Sequence, residues 1–213
     1  TAITQSTTTP VVTSAASNTV TCANTTINVS ATTTTTPVDY NWSGTGITSA
    51  TNISTITVNQ GGTYNYTVTN TINGCRTTGT QSVIQNTTVP SVATATSGVL
   101  NCTLTSVNAS ATTTTSPVTY NWSGSGIIAG GTTSTPTINI GGTYNYTVTN
   151  TANGCLTTGS VSVTQNTTIP SASAIGGTLT CATTSTVLTG GPATGVTYSW
   201  SGVGLSGATT LAN

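Results

Sequence analysis

The sequence predicts an all-β protein, built as a tandem array of small antiparallel β-sandwiches of about 80 residues each. Three observations predict it: an internal repeat of 80 residues, apolar and polar residues that alternate with period two, and closely spaced turn signals. Thr supplies 61 and Ser 24 of the 213 residues. Because Thr, Val, Ile, Tyr and Trp favour strands, composition points the same way.

The repeat is visible in single residues and in whole runs. Three marker residues recur 80 positions apart, in the pairs Cys22 and Cys102, Trp42 and Trp122, and Cys75 and Cys155. The run GGTYNYTVTNT at 61–71 returns unchanged at 141–151. We divide the chain into the last strand of a preceding repeat (1–10), repeat 1 (11–90), repeat 2 (91–170) and a truncated repeat 3 (171–213). We therefore expect this segment to continue in a longer array.

Each repeat is predicted to hold about seven short strands, bounded in repeat 2 near 91–97, 99–103, 105–111, 117–123, 134–140, 142–150 and 157–165. Alternation is clearest where Tyr64 and Tyr66 flank Asn65, which predicts one buried and one wet face. Asn73-Gly74 and its counterpart Asn153-Gly154 are typical of a type I′ hairpin turn. Seven such strands in about 80 residues favour a two-sheet sandwich.

Aromatic residues are the expected centre of each small core. We predict that Trp42, Trp122 and Trp200 fill it, since a large ring supplies much of the buried area. Tyr64 and Tyr144 follow a Gly-Gly turn, where a corner tyrosine bonds back to the backbone. The alternative is that the tryptophans form a platform on which sugars stack.

The cysteines are expected to form one disulfide per repeat, Cys22 with Cys75 and Cys102 with Cys155, each spanning 53 residues. Closing such a loop contributes about 4 kcal/mol in the loop-entropy model. Cys181 then has no partner in the sequence. Disulfides predict a location outside the cytoplasm; free, buried thiols are the alternative.

Composition leaves almost nothing for catalysis. The chain has no His, no Glu and a single Asp, so neither a carboxylate pair nor a catalytic triad can be assembled. We predict no enzyme activity, no catalytic residue, no cofactor and no metal site. The only charges are Asp39 and Arg76, which we expect to lie at one end of the sandwich as an ion pair worth about 0–1 kcal/mol. Without a basic patch, neither nucleic acid nor insertion into a membrane is expected.

Carbohydrate is expected to supply the hydration that charge does not. Eleven Asn-x-Ser/Thr sequences are candidate glycosylation sites: Asn24, Asn28, Asn41, Asn52, Asn65, Asn86, Asn101, Asn108, Asn121, Asn145 and Asn166. Four of them, Asn41, Asn65, Asn121 and Asn145, adjoin an inward-facing aromatic residue, so the alternation points them at solvent. Threonine tracts such as 32–36 are candidates for O-linked glycans.

The repeats resemble the tandem Ig-like or PKD-like repeats of very large cell-surface adhesins from the Bacteroidetes group. The matching runs are GGTYNYTVTNTxNGC, the following TTGxVxVTQNTTxPS, and GTLTC with TYSWSG in the third copy. The resemblance implies secretion by a type IX-like route, an Ig-like fold, and a role in adhesion or gliding. The near absence of Asp and Lys departs from such repeats.

Three functions compete at this point. A structural or adhesive rod or filament, with adjoining repeats, other copies of the chain or surface glycans as partners, fits the short linkers around Pro10, Pro90 and Pro170. A carbohydrate- or ice-binding module would use outward-facing threonines such as Thr67 and Thr69. An enzyme is the least favoured. For residues 171–213 we expect completion by a longer chain, or by a strand donated from Thr1–Gln5 of a neighbour.

Overall fold

The computed structural model describes residues 5–96, 98–207 and 210–212, and every regular element in those ranges is a β-strand. The donor strand expected over Thr1–Gln5 lies almost wholly outside the described residues. The chain forms two compact units, Thr1–Gln165 and Asn166–Asn213. The described part of the chain contains no helix long and apolar enough to cross a membrane.

Repeat 1 is a sandwich of two three-stranded antiparallel sheets. Its strands are β1 (Val12–Ala16), β2 (Val20–Thr21), β3 (Ile27–Thr33), β4 (Val38–Ser43), β5 (Thr55–Val58), β6 (Gly62–Asn70), β7 (Arg76–Val83) and β8 (Gln85–Asn86). One sheet has the order β1-β3-β5 and the other β4-β6-β7. The short strands β2 and β8 pair in parallel, with Thr21 beside Asn86.

Repeat 2 is built in the same way. Its strands are β9 (Ala93–Thr96), β10 (Val107–Thr112), β11 (Val118–Ser123), β12 (Ile127–Ala129), β13 (Thr137–Ile138), β14 (Gly142–Asn150) and β15 (Leu156–Val163). The sheet β12-β13-β10-β9 faces the sheet β11-β14-β15. The prediction of an all-β fold of antiparallel Ig-like sandwiches is therefore confirmed.

Two strands of the sequence prediction are largely loops, and one of them, expected over 134–140, is reduced to the two residues Thr137–Ile138. The strand expected over 99–103 is reduced to a single parallel bridge between Leu100 and Gln165. The backbone turns immediately afterwards, because the side-chain oxygen of Asn101 accepts hydrogen bonds from the backbone N–H groups of Thr103 (2.9 Å) and Leu104 (2.7 Å). An Asn side chain that satisfies its own turn competes with sheet pairing.

Alternation along the strands builds a separate core in each repeat. On β6, Tyr64, Tyr66 and Val68 are buried, while Asn65 between them is exposed. Trp42 is 3% exposed and Trp122 6% exposed, and each contacts a tyrosine of the neighbouring strand at a ring separation of 5.3 Å. These rings are interior, so they form no open platform for sugars.

The Asn-Gly turns are not the predicted type I′ turns. Five residues, 71–75, separate β6 from β7, and Gly74 is the one among them with a positive φ, of 72°. A type I′ turn needs positive φ at both central residues. Instead, the Asn73 side chain accepts a hydrogen bond from the N–H of Cys75 (3.0 Å), and Gly74 N–H donates to the carbonyl of Asn70 (2.8 Å). This frees the amide nitrogen of Asn73 to point outward from the turn.

Among its described residues, the second unit, 166–213, forms two-stranded sheets. They pair β16 (Ser173–Ile175) with β17 (Thr189–Gly191), and β18 (Thr197–Ser199) with β19 (Thr210–Ala212). The prediction that Trp200 is a core residue is wrong: it is only half-buried and lines an open cavity of about 580 Å³. Leu179 and Val187 in the same cavity are 60% and 79% exposed, because no second full sheet among the described residues of this unit covers them.

Candidate functional site: the joint between repeats

A disulfide connects the two repeats, which corrects the predicted pairing. Cys22 of repeat 1 is bonded to Cys155 of repeat 2, with a Cα–Cα distance of 5.0 Å. Cys75, Cys102 and Cys181 are free thiols. The expected bonds Cys22–Cys75 and Cys102–Cys155, one within each repeat, are therefore wrong.

Strand direction explains why the bond cannot close within a repeat. Cys22 directly follows Thr21, which pairs with Asn86 beyond the end of β7. Cys75 directly precedes Arg76, the first residue of β7. Ten residues of extended chain separate Arg76 from Asn86, about 33 Å, far beyond the roughly 7 Å limit for bridged Cα atoms. The two cysteines of one repeat thus lie at opposite ends of the sandwich.

The joint is the region where the trailing end of repeat 1 meets the leading turn of repeat 2, residues 151–155. Its central side chain is Asn153, which is 2% exposed. The amide nitrogen of Asn153 donates to the side-chain oxygen of Asn86 and to the carbonyl of Thr88, both at 3.0 Å. Its oxygen accepts from the N–H of Cys155 at 2.9 Å. A buried amide with every group paired holds the two repeats in one register.

Backbone and small residues complete the joint. The N–H of Ala23 donates to the carbonyl of Asn153 (3.1 Å), and the hydroxyl of Thr157 donates to the carbonyl of Pro90 (2.5 Å). Gly154 has a φ of 74°, and a Cβ placed on it would lie 2.6 Å from the Cβ of Ala23. Only glycine therefore allows this approach.

Linker residues are part of the joint rather than a flexible spacer. Pro90 is fully buried, and so is Pro10, its counterpart 80 residues earlier. A cleft of about 440 Å³ runs alongside the joint, with a mostly polar lining that includes Asn18, Asn24 and Thr151. A buried proline with fixed φ restricts the angle between consecutive sandwiches. Pro170, in the second unit, is exposed.

The leading turn of repeat 1, residues 71–75, meets its own linker in the same manner. The amide nitrogen of Asn73 donates to the hydroxyl of Ser6 (3.3 Å) and to the carbonyl of Thr8 (3.0 Å). The hydroxyl of Thr77 donates to the carbonyl of Pro10 at 2.6 Å. Each partner lies 80 residues before its counterpart in the joint, so the linker docks on both repeats alike.

A polar face covers the outside of the sheets β4-β6-β7 and β11-β14-β15. Its paired rows are Asn41-Thr67-Thr78 and Ser43-Asn65-Thr80 in repeat 1, and Asn121-Thr147-Thr158 and Ser123-Asn145-Ser160 in repeat 2. Opposite residues share a face of the sheet, so these rows present hydroxyls and amides together. Thr67 and Thr69 on β6 are half-buried.

The predicted ion pair does not form. Asp39 pairs with Thr69 on β6, and Thr69 pairs with Arg76 on β7. The two charged residues therefore share one row of the polar face with a strand between them, about 10 Å apart at two strand spacings. Both are exposed, and the described residues contain no contact between their charged groups within 4.0 Å.

All eleven candidate glycosylation asparagines are exposed. Asn41, Asn65, Asn121 and Asn145 lie on the polar face, and Asn24 and Asn86 border the joint. Asn28 and Asn108 accept a hydrogen bond from Thr57 and Thr137 respectively. Asn52, Asn101 and Asn166 lie in loops. A glycan at any of them would project away from the cores.

The corner tyrosines are structural. The hydroxyl of Tyr64 lies 2.7 Å from the carbonyl of Thr45 and 2.8 Å from that of Gln60, and Tyr144 contacts Ser125 and Ile140 in the same way. Burial raises the pKa of both phenols above the ordinary value of 10.0. A neutral, bonded phenol holds the corner and offers no acid or base near neutral pH. In the described part of the chain, no three residues among His, Cys, Asp and Glu come together as a metal site would require.

Sequence reasoning missed the residues that make the joint, above all Asn153 and Thr157. The sequence pattern indicates only a turn at Asn153 and a strand at Thr157. The 80-residue period did contain a signal, since Cys155 can be assigned to Cys22 at a separation of 133 as consistently as to Cys102 at 53. Only the parallel pairing of β2 with β8 distinguishes the two assignments.

No protein-family model matches the sequence, and no curated protein matches it. Similar solved structures include a C-terminal 282-residue fragment of intimin in complex with the intimin-binding domain of the translocated intimin receptor (16% identity, TM-score 0.38) and murine CEACAM1b (13%, 0.34). They include also the mouse nectin-like molecule 4 ectodomain, Ig1–Ig3 (11%, 0.29). The matches cover 78%, 65% and 75% of this chain and 66%, 92% and 65% of those chains. The chain thus spans about two thirds of the intimin fragment and of the nectin-like ectodomain. Likeness at this level carries no argument about function.

Proposed function

We propose that this chain is a non-enzymatic, extracellular structural segment of an adhesin. Its β-sandwiches, joined to one another by disulfides, form a stiff rod that transmits tension. The observation that supports this most directly is the joint, where a disulfide and the buried Asn153 fix repeat 2 to repeat 1. A chain whose modules only had to be displayed would need no such connection. The disulfide also supports a location outside the cytoplasm.

The position of the disulfide favours a role under tension. Force applied to the ends of the chain passes from Cys22 directly to Cys155, so the 133-residue separation between them is shielded from extension. The cores of both repeats lie almost wholly inside this loop. The residues of this loop therefore add no length to the rod even when a sandwich opens.

Glycosylation and origin are part of the same proposal. With one Lys or Arg and one Asp or Glu in 213 residues, the surface carries almost no charge to keep it hydrated. Glycans on the polar face, at Asn41, Asn65, Asn121 and Asn145, would supply that hydration. The runs shared with Bacteroidetes-type adhesin repeats support an origin in such a protein, displayed by a type IX-like route.

Single-molecule stretching tests the mechanical role. In the oxidised chain we expect no extension from the residues between Cys22 and Cys155, and a gain of roughly 450 Å on adding reductant, at about 3.4 Å for each of the 133 residues. Cys75→Ser is the matched control, and its oxidised and reduced extensions should equal those of the unaltered chain. Equal extension before and after reduction would contradict the proposal.

A carbohydrate- or ice-binding module is the second candidate, and the polar face favours it. Rows such as Asn121-Thr147-Thr158 place side-chain hydroxyls and amides side by side across three strands. A glycan-array screen and a thermal-hysteresis measurement on the unglycosylated chain test this function. Binding that Thr147→Val abolishes would favour it over the rod, and no binding in either assay removes it.

A further inference from the structure

In the joint, two segments contact the leading turn of repeat 2: a linker and a loop. The leading turn of repeat 1 is contacted by a linker but by no such loop among the described residues. In the joint, the linker is 86–90 and the loop is 22–24. At the leading turn of repeat 1, residues 6–10 supply the linker through the same bonds to Asn73 and Thr77. The place of the loop is open, since a Cβ built on Gly74 would meet nothing within 4 Å.

Burial shows the same asymmetry. Asn153 and Cys155 in the joint are 2% and 1% exposed, whereas Asn73 and Cys75 are half-buried. The five-residue turns differ in sequence only at Ile72 and Ala152, so sequence does not explain the difference. The leading turn of repeat 1 thus has the shape and hydrogen bonds of an occupied joint without the loop that covers it.

The trailing end of repeat 2 presents the missing piece. In the loop that carries Cys22, the N–H of Thr21 donates to the carbonyl of Asn24 at 2.9 Å. In the loop that carries Cys102, the N–H of Asn101 donates to the carbonyl of Leu104, also at 2.9 Å. Cys102 is an exposed free thiol in this loop, as expected for a loop that has no following turn docked on it.

Each repeat has an early cysteine, Cys22 or Cys102, and a late cysteine, Cys75 or Cys155. We propose that the early cysteine of each repeat forms a disulfide with the late cysteine of the next repeat. Cys75 then bonds the early cysteine of a preceding repeat of this sequence type in the same chain, and Cys102 bonds the late cysteine of a following one. The partner is another copy of the repeat, because the receiving surface is the one already occupied at the joint. The result is an unbroken ladder of disulfides along the array.

The chemistry requires an oxidant. Two thiols lose two protons and two electrons as the sulfur–sulfur bond forms, and a small disulfide such as oxidised glutathione accepts them and becomes two thiols. Cys75 and Cys102 cannot satisfy each other within one chain, because Cys75 lies at the leading end of repeat 1 and Cys102 at the trailing end of repeat 2. Each remains free until a further repeat is joined.

Two extended chains test the ladder. One duplicates residues 11–90 in tandem, which places a repeat before Cys75; the other duplicates 91–170, which places one after Cys102. Each has seven cysteines, two more than the five of the present chain. After oxidation with glutathione, alkylation under denaturing conditions should find three free thiols in both, the same number as in the unextended chain.

Matched variants assign the new bond. In the chain with 91–170 duplicated, Cys102→Ser should raise the count from three free thiols to four, since it releases the late cysteine of the added repeat. Cys75→Ser in the same chain should lower it to two. Five free thiols in both extended chains would overturn the proposal. A single free thiol would also overturn it, because that is the number expected if the disulfides form within each repeat. The thiol count does not depend on the mechanical role, so either can fail without the other.

Discussion

The leading turns of repeat 1 and repeat 2 have nearly the same sequence and the same internal hydrogen bonds, yet different surroundings. Asn153 and Cys155 are buried under the loop 22–24 of repeat 1, whereas Asn73 and Cys75 are half-buried and are contacted by the linker 6–10 alone among the described residues. The difference teaches that the turn is a docking element whose burial is decided by the neighbouring repeat. Paired substitutions at equivalent positions can therefore separate the contribution of the joint from that of the turn itself.

The largest difference is expected for the cysteines. Cys155→Ser removes the disulfide and should lower the free energy of unfolding by about 2–5 kcal/mol, because a 133-residue loop is no longer closed in the unfolded chain. Cys75→Ser should leave it unchanged, since that thiol is free. Guanidinium denaturation without reductant measures both. A loss for Cys75→Ser equal to that for Cys155→Ser would contradict the pairing.

The glycines should differ next. Gly74 and Gly154 both have positive φ, so replacing either by Ala should cost about 1–2 kcal/mol from the backbone alone. Gly154→Ala adds a clash with Ala23, worth about a further 1–3 kcal/mol. Thermal unfolding of the two variants checks the order. Equal destabilisation by the two substitutions would mean that Ala23 of repeat 1 is not in close contact with Gly154 of repeat 2.

The asparagines should differ less. Asn153→Ala removes a buried amide that donates to Asn86 and to Thr88, and should cost about 1–3 kcal/mol. Asn73→Ala breaks equivalent bonds at a half-buried site and should cost about 0.5–1.5 kcal/mol. Denaturant titration of the two variants compares them. A larger loss at Asn73 would reverse the assignment of the buried joint.

The smallest effect is expected for pH, where the two repeats should behave alike. Burial raises the pKa of Tyr64 and Tyr144, so the folded state favours the protonated phenols. Their contribution to stability is fully present below the ordinary pKa of about 10 and is lost as pH rises through the higher folded values. The free energy of unfolding, measured by urea titration, should begin to fall only above about pH 10. Tyr64→Phe and Tyr144→Phe should each reduce the steepness of that fall to the same extent, and a fall below pH 9 would contradict this.

Sequence patterns predicted the sandwich well because alternation reports directly on burial. Trp42 and Tyr64 are interior where period two places them, and Asn65 is outside. The same reasoning failed for Trp200, because alternation tells which face of a strand is apolar and not whether a second sheet covers it. Burial needs the partner sheet as well as the pattern.

The joint could not be predicted from spacing. In a periodic sequence, Cys22 is related equally to Cys75 and to Cys155, and the choice depends on which end of the sandwich each occupies. That information lies in the parallel pairing of Thr21 with Asn86, only two residues long, which no propensity indicates. The ion pair of Asp39 and Arg76 failed for a similar reason, because β6 lies between the two strands that carry them.

The disulfide joins consecutive repeats, and chymotryptic mapping of the non-reduced chain tests this pairing most directly. Cleavage after Tyr40, Tyr66, Tyr120, Tyr146 and Tyr198 yields a fragment 1–40 with Cys22, a fragment 67–120 with Cys75 and Cys102, and a fragment 147–198 with Cys155 and Cys181. We predict that 1–40 is linked to 147–198 and that 67–120 is linked to neither. Fragment 67–120 linked to both of the others would show bonds within each repeat and would contradict the account.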